Sequence, residues 1–183
     1  MTGPGVSLEY EVTALRYGTR TARRSEVFLH FELDREPDRE LAFWTSPLSR
    51  KPLFMTATEE ADLDALRQLS EAGRVDFISG RASVAPGIEA VEIGGHTPGQ
   101  LAVIVGTARG ETVFASDALH YYEEMTQDRP FAHVTDVPAM YAGFAWLREQ
   151  QTAGRDIVAG HDPQVMQRYP AVAGAARLAV RVG

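Results

Sequence analysis

Three residues of the kinds that bind metal ions follow apolar, strand-like segments at the point where each segment ends. His96 follows Val-Glu-Ile-Gly-Gly, Asp117 follows Thr-Val-Phe-Ala-Ser, and His161 follows Asp-Ile-Val-Ala-Gly. Active-site loops usually lie just past strand ends, and imidazole and carboxylate are a natural ligand set for zinc or a similar divalent ion. The glycines beside both histidines let the backbone turn without a Cβ clash. The three residues are therefore candidate metal ligands.

Each of these residues also has an interpretation that involves no metal. A single histidine after a strand is more often a loop residue whose hydrogen bonds are satisfied. Asp117 is also placed to cap the next segment, and Asp162 is placed to begin a helix directly after His161. The three residues together favour a metal site, whereas spacing alone leaves both interpretations open.

The elements that position these residues are predicted to be strands with helices between them, hence a mixed α and β domain. Alternation and strand-forming residues predict strands, with turns at Ala85-Pro86-Gly87 and at Ala108-Arg109-Gly110, the second joining a hairpin. The segment 34–40 is predicted to be a charged turn and 118–135 a loop. The predicted strands are 8–18, 25–33, 74–79, 88–93, 100–107, 111–117 and 156–160.

Two helices and a shorter third are predicted from caps and helical spacing. The first runs from Thr58, its cap, to Gly73, and the second begins after the cap Asp136. The third is short, within 162–170, and ends at Pro170. The apolar positions are Leu63, Leu66 and Leu69 in the first helix, and Val137, Met140, Tyr141, Phe144 and Leu147 in the second.

Composition and charge limit the functions that this chain can have. Its 183 residues suffice for one domain with a core, and 44% hydrophobic with 23% charged residues is ordinary for a soluble globular protein. The formal net charge of −7 argues against nucleic acid and anionic membrane as partners. Because there is no cysteine, zinc would need His, Asp or Glu. No segment resembles a signal peptide or membrane span, so we expect a cytoplasmic protein.

Three motifs resemble, in this order, the metallo-β-lactamase superfamily: GGHTPGQLAVIV, FASDALHYYEE and IVAGHDPQVMQRYP. The closest likeness is to the N-acyl homoserine lactonase group of metallo-hydrolases. YEVTALRYGTRTARRSEVFL, LAFWTSPLSRKPLF and RVDFISGRASVAPGIEAVEIGG extend it over nearly the whole chain. The resemblance implies an α+β fold, the αββα sandwich, truncated here in its N-terminal half. It also implies two zinc ions and hydroxide attack on a lactone or ester-like carbonyl of a small molecule.

The resemblance implies a role for each candidate residue. His96 corresponds to the third histidine of the first metal site, Asp117 to the carboxylate that bridges both metals, and His161 to a ligand of the second. In such lactonases a tyrosine three residues after the bridging aspartate orients the substrate carbonyl. Here that position is His120, and Tyr121 follows it. We therefore predict His120 and Tyr121 as the catalytic residues that contact the substrate.

The superfamily's His-x-His-x-Asp-His motif is absent from the sequence. The five histidines are His30, His96, His120, His133 and His161, and no two lie within two residues of each other. Four metal ligands are thus missing, and the flanking segments predict an internal deletion near 38–40 within a single domain, 1–183.

Three interpretations of the function remain open. The first is a lactonase-like metallo-hydrolase, with one zinc ion or none instead of two. The second is a non-catalytic deletion product or pseudoenzyme of the same fold that keeps a small-molecule pocket or a homodimer surface. The third is a structural α/β domain in which the His and Asp placements are accidental.

Overall fold

The elements that carry the candidate residues are seen in a computed structural model, which describes residues 11–15, 39–54 and 60–183. Two sheets are formed, one of five strands in the order β2-β3-β4-β5-β6 and one of two strands, β1 and β7. In chain order the elements are β1 (Thr13–Leu15), α1 (Arg39–Thr45), α2 (Glu60–Glu71), β2 (Arg81–Ala85), β3 (Ile88–Glu92), β4 (Leu101–Thr107), β5 (Gly110–Ser116), α3 (Tyr122–Gln127), α4 (Val137–Thr152), β6 (Asp156–Ala159), α5 (Val165–Arg168) and β7 (Ala179–Arg181).

The pairing of β5 with β6 decides where the candidate site lies. Strands β2 to β5 form antiparallel pairs, whereas β5 and β6 are parallel, with Ser116 opposite Ala159. Parallel neighbours need a crossover connection, and here α3 and α4 lie within it. The carboxyl ends of β5 and β6 therefore meet at one edge of the sheet. Asp117 and His161, which follow these two strands, are brought together by this topology.

The main core lies between this sheet and the helices that follow β5. Helix α4 contributes Met140, Phe144 and Leu147, which share one helical face and are almost completely buried. Its first turn is capped as predicted, because the Asp136 side chain accepts a hydrogen bond of 2.9 Å from the backbone N–H of Ala139. Tyr141, also predicted to be apolar-facing, is instead exposed.

A smaller apolar cluster forms between α1, the turns that follow it and α2. Phe43 packs edge-on against Trp44 and Phe54, with ring centroids 4.9 and 5.1 Å away, and Leu63 of α2 completes the cluster. Of the other predicted apolar positions in α2, Leu69 is 37% exposed, so only part of the predicted face is buried among the described residues. The predicted cap of this helix, Thr58, lies outside the described residues.

Several sequence-based element boundaries are corrected by the structure. Residues 74–79 form no strand. The strand that precedes β3 and pairs with it is β2, which lies directly before the predicted turn at Pro86. Arg39 and Glu40 begin α1 instead of ending a charged turn, and α3 lies within the predicted loop 118–135. The predicted strand at 25–33, with His30, and residue 38 lie outside the described residues. Of the predicted strand 8–18, residues 8–10 and 16–18 also lie outside them, and β1 covers Thr13–Leu15.

Strands β4 and β5 form the predicted hairpin, and β6 and α5 also lie where they were predicted. In the part of the chain that the structure describes, no helix has both the length and the apolar character that a bilayer span requires.

Candidate metal centre

The backbone at the ends of β5 and β6 is shaped to bring Asp117 and His161 together. Ser116 has a φ of 49°, a conformation that costs a non-glycine residue about 1–3 kcal/mol and is often found at functional sites. A Cβ atom on Gly160 would lie 2.6 Å from the carbonyl oxygen of Ser116, so the two strand ends approach closely only because residue 160 is glycine. Nε2 of His161 then donates a hydrogen bond of 2.7 Å to Oδ1 of Asp117.

His96 is held on its loop by the segment that leads into α4. Gly95 has a φ of 93°, a region that favours glycine. Its carbonyl oxygen accepts hydrogen bonds from the backbone N–H groups of Thr135 and Asp136, at 2.9 and 3.0 Å. Nε2 of His96 lies 4.0 Å from Oδ2 of Asp117. His96 thus faces the second oxygen of the carboxylate whose first oxygen is bonded to His161.

His120 is the third histidine that faces Asp117. Its side chain is buried, and Nε2 lies 3.8 Å from Oδ1 of Asp117. Its ring stacks on Phe131 at a centroid distance of 3.9 Å and on His161 at 5.3 Å. The backbone N–H of His161 donates to the carbonyl oxygen of His120 over 3.0 Å. The loops after β5 and β6 are therefore joined through both backbone and side chains.

The protonation of these groups follows from burial and from their mutual contacts. Burial, followed by electrostatic repulsion from His120, lowers the pKa of His96 to about 4, so His96 is neutral near pH 7. The hydrogen bond from His161 lowers the pKa of Asp117, and the same bond raises the pKa of His161. The centre thus offers one ionised carboxylate and at least one neutral imidazole at neutral pH.

The donor set fits a divalent metal ion. One ligand atom from each of Asp117, His120 and His161 lies within 4.8 Å of the other two. Donors bound to one tetrahedral zinc ion are about 3.3 Å apart, given zinc–ligand distances of about 2.0 Å. A contraction of at most about 1.5 Å would therefore bring the set to zinc-binding distances. Nε2 of His96 lies 4.0 Å from the other oxygen of the same carboxylate.

The structure brings the three predicted metal ligands together and separates the two predicted substrate contacts. His96 and His161 both face Asp117. His120 is 4% exposed and turns toward the same carboxylate, whereas Tyr121 is 39% exposed, with its ring 6.4 Å from that of Phe131.

Two residues near the centre, Glu124 and Phe131, were missed by sequence reasoning. Glu124 lies four residues after His120, the spacing of neighbours on a helix, but the segment was predicted to be a loop. Phe131 has no signal in the sequence that links it to His120. The prediction that Asp162 caps the helix after His161 is wrong, because the N-cap residue of α5 is Gln164 and no side chain caps it. The side chain of Asp162 instead accepts hydrogen bonds from the backbone N–H groups of Gln164 and Tyr122 at 2.8 and 2.9 Å. These hydrogen bonds of Asp162 are present together with the hydrogen bond between His161 and Asp117.

Comparison with known proteins identifies similar folds. No protein-family model matches the sequence, and no curated protein sequence is significantly similar to it. Among solved structures, the hydrolase AbOPH of the β-lactamase superfamily is similar, with a TM-score of 0.52 and 18% identity over 69% of this chain and 46% of that chain. AidC, a dizinc quorum-quenching lactonase, has a TM-score of 0.50 and 17% identity over 68% of this chain and 46% of its own.

An N-acyl homoserine lactone hydrolase, solved with N-hexanoyl-L-homoserine at its catalytic metal centre, has a TM-score of 0.47 and 25% identity over 51% of this chain and 38% of that chain. The chain thus spans less than half the length of each of these three structures. The likeness to AbOPH and AidC confirms the predicted α+β fold, present here in part. The described part of the chain has the fold of the metallo-β-lactamase superfamily hydrolases.

Proposed function

We propose that this protein is a metal-dependent hydrolase that opens a lactone or cleaves a similar ester-like bond of a small molecule. The observation that carries the proposal is the convergence of ligand-type side chains on Asp117. His96, which follows β3, and His161, which follows β6, both direct Nε2 at this carboxylate. Each lies on a loop beside a strand end that backbone contacts hold in place, as a preorganised metal site requires.

The proposed cofactor is a single zinc ion held by Asp117, His96 and His161. Bound there, the ion would act as a Lewis acid toward a carbonyl oxygen and would make a water molecule more acidic. Asp117 is suited to hold it because its pKa is lowered, so the carboxylate is ionised at neutral pH. His96 is suited because its partly buried imidazole is neutral, with a free lone pair for a cation.

Phe131 and Tyr121 would bind and orient the substrate. Phe131, stacked on His120, forms an apolar wall of the centre. Tyr121 lies beyond this wall, exposed, where its hydroxyl is able to donate a hydrogen bond to a substrate carbonyl. We assign Tyr121 as the substrate contact. A lactone is the favoured substrate class because the sequence motifs resemble lactonases and the fold is shared with the lactonase AidC.

A shortened chain is part of the proposal. Two observations support an internal deletion near residues 38–40. The His-x-His-x-Asp-His motif is absent, and this chain matches only 46% of the length of AidC and of AbOPH. A non-catalytic member of the same fold is the second candidate, and the absent motif is the observation that favours it.

Hydrolysis assays on metal-free and zinc-loaded protein separate these two candidates. Ring opening of an N-acyl homoserine lactone and cleavage of a p-nitrophenyl ester would be followed with protein purified in each form. We expect turnover only in the zinc-loaded protein and its loss in Asp117→Asn, which keeps the size of the side chain and removes its charge. Zinc binding without turnover of either substrate would support the non-catalytic member instead.

A further inference from the structure

We propose that His120 is a metal ligand and that Glu124 is the positioning residue that directs its Nε2 to the metal. This inference rests on the proposed metal site and extends it by two residues. His120 lies on the loop after β5, and Glu124 lies one turn further on, within α3. Both side chains are 5% exposed, so neither is placed to contact a substrate from solution.

The polar atoms of this pair are unsatisfied as they stand. Within the part of the chain that the structure describes, Nδ1 of His120 and Oε1 of Glu124 have no hydrogen-bond partner, and they face each other across 3.8 Å. The other oxygen of Glu124 accepts a bond of 3.3 Å from the backbone N–H of His120. A buried polar group without a partner destabilises the folded protein. A shift of about 0.6 Å would turn the contact between Nδ1 and Oε1 into a hydrogen bond.

That hydrogen bond fixes the tautomer of His120. A neutral imidazole carries its proton on one nitrogen and a lone pair on the other. If Nδ1–H donates to Glu124, the lone pair lies on Nε2, which is 3.8 Å from Oδ1 of Asp117. A lone pair and a carboxylate oxygen repel each other unless a cation lies between them. Carboxylates that accept the second N–H of a ligating histidine are a common outer contact of metal sites.

The surroundings of His120 also suit a ligand that must not move. The ring is held on one face by Phe131, with an interplanar angle of 20°, and His96 approaches with a centroid distance of 4.9 Å. In the alternative without metal, both ring nitrogens of His120 carry protons and donate to Asp117 and Glu124. That alternative predicts that a substitution which removes either ring nitrogen changes the stability of the protein but not its metal affinity.

Titration with Co²⁺, followed by its visible absorption, tests the assignment without any measurement of activity. The variant His120→Asn keeps an N–H donor near the position of Nδ1 and lacks Nε2. Glu124→Gln keeps the size of the side chain and removes its charge. Glu123→Gln, the same change at the exposed neighbouring position, is the matched control. Circular dichroism and thermal midpoints of each metal-free variant establish that it is folded.

We expect Glu124→Gln to bind Co²⁺ about 10- to 100-fold more weakly, as for other outer contacts of metal ligands. His120→Asn should bind still more weakly and change the absorption band, and Glu123→Gln should match the wild type. If His120→Asn does not fold, the comparison of Glu124→Gln with Glu123→Gln decides. Unchanged Co²⁺ affinity in folded His120→Asn or Glu124→Gln would overturn this inference alone. Absence of Co²⁺ binding in the wild type would overturn the proposed metal site as well.

Discussion

His161 donates a hydrogen bond of 2.7 Å from Nε2 to Oδ1 of Asp117, and this bond joins the ends of the parallel strands β5 and β6. It also raises the pKa of His161 and lowers that of Asp117. A metal ion that binds both residues must displace the proton from Nε2. The protonation of this pair therefore competes with metal binding.

Metal affinity is expected to rise with pH until the raised pKa of His161 is passed, and then to level off. Below that pKa one proton is released for each ion bound, which corresponds to about a tenfold gain in affinity per pH unit. His96, with a pKa of about 4, has no proton to release above pH 6. Zn²⁺ affinity measured by chelator competition between pH 6 and 9 checks this. His161→Gln should bind more weakly with a flatter profile, and an equally steep profile would contradict the assignment.

The depressed pKa of His96 predicts a loss of stability in acid for the metal-free protein. The folded-state pKa is about 4 against 6.5 for the free side chain. As the pH falls below 6.5, the unfolded chain takes up a proton that the folded protein does not, so the free energy of unfolding falls. At pH 5 this loss is about 2 kcal/mol. Urea unfolding of wild type and His96→Gln at pH 7 and pH 5 measures it. The wild type should lose about that much more than the variant, and parallel losses would refute the prediction.

The close approach of β5 and β6 predicts different effects for two Gly→Ala changes. At Gly160 a Cβ would lie 2.6 Å from the backbone oxygen of Ser116, whereas at Gly143 it would meet the Cγ2 atom of Ile93 at 2.7 Å. Backbone moves less readily than the end of a side chain, and alanine also favours the helix at position 143. We expect Gly160→Ala to destabilise by about 1–3 kcal/mol and to weaken metal binding. Gly143→Ala should cost less, and the opposite order in urea unfolding would contradict this packing.

Removal of the cap of α4 should destabilise the helix and loosen the His96 loop. Asp136→Ala loses the bond to the backbone N–H of Ala139, which corresponds to about 1 kcal/mol. The backbone N–H of Asp136 also bonds to the carbonyl of Gly95, so the loss should extend to His96. Asp136→Asn keeps a capping oxygen and serves as the control. Equal unfolding midpoints for Asp136→Ala and the wild type would show that the cap does not stabilise this helix.

Local patterns predicted the elements whose signals are strong in the sequence. The hairpin of β4 and β5 and the cap at Asp136 are examples, because turn and capping residues act over a few positions. Strand β2 was missed although the turn at Pro86 was correctly predicted. Its sequence, Arg-Ala-Ser-Val-Ala, has few strand-forming residues, and it forms a strand because β3 pairs with it across that turn. Residues 74–79, with more such residues, have no strand partner among the described residues.

The sequence supplied candidate ligands for the centre but not the residues that surround them. His96, Asp117 and His161 each follow a strand-like segment, and strand ends carry functional residues. The convergence of Asp117 and His161 depends on the parallel pairing of β5 with β6, which is a long-range contact that no local pattern encodes. The burial of His120 and its contact with Phe131 likewise depend on how α3 and the following loop fold back over the sheet. A sequence pattern therefore supplies candidate ligands, whereas their distances come only from the fold.

Bound metal per chain tests the central claim most directly. Elemental mass spectrometry would be applied to protein purified without chelator, with Asp117→Ala as the control because Asp117 is the carboxylate on which the three histidines converge. The proposed centre predicts about one zinc or similar divalent ion per chain, lost in the variant. Metal in the wild type no higher than in Asp117→Ala would contradict the metal centre, and with it the proposed hydrolase.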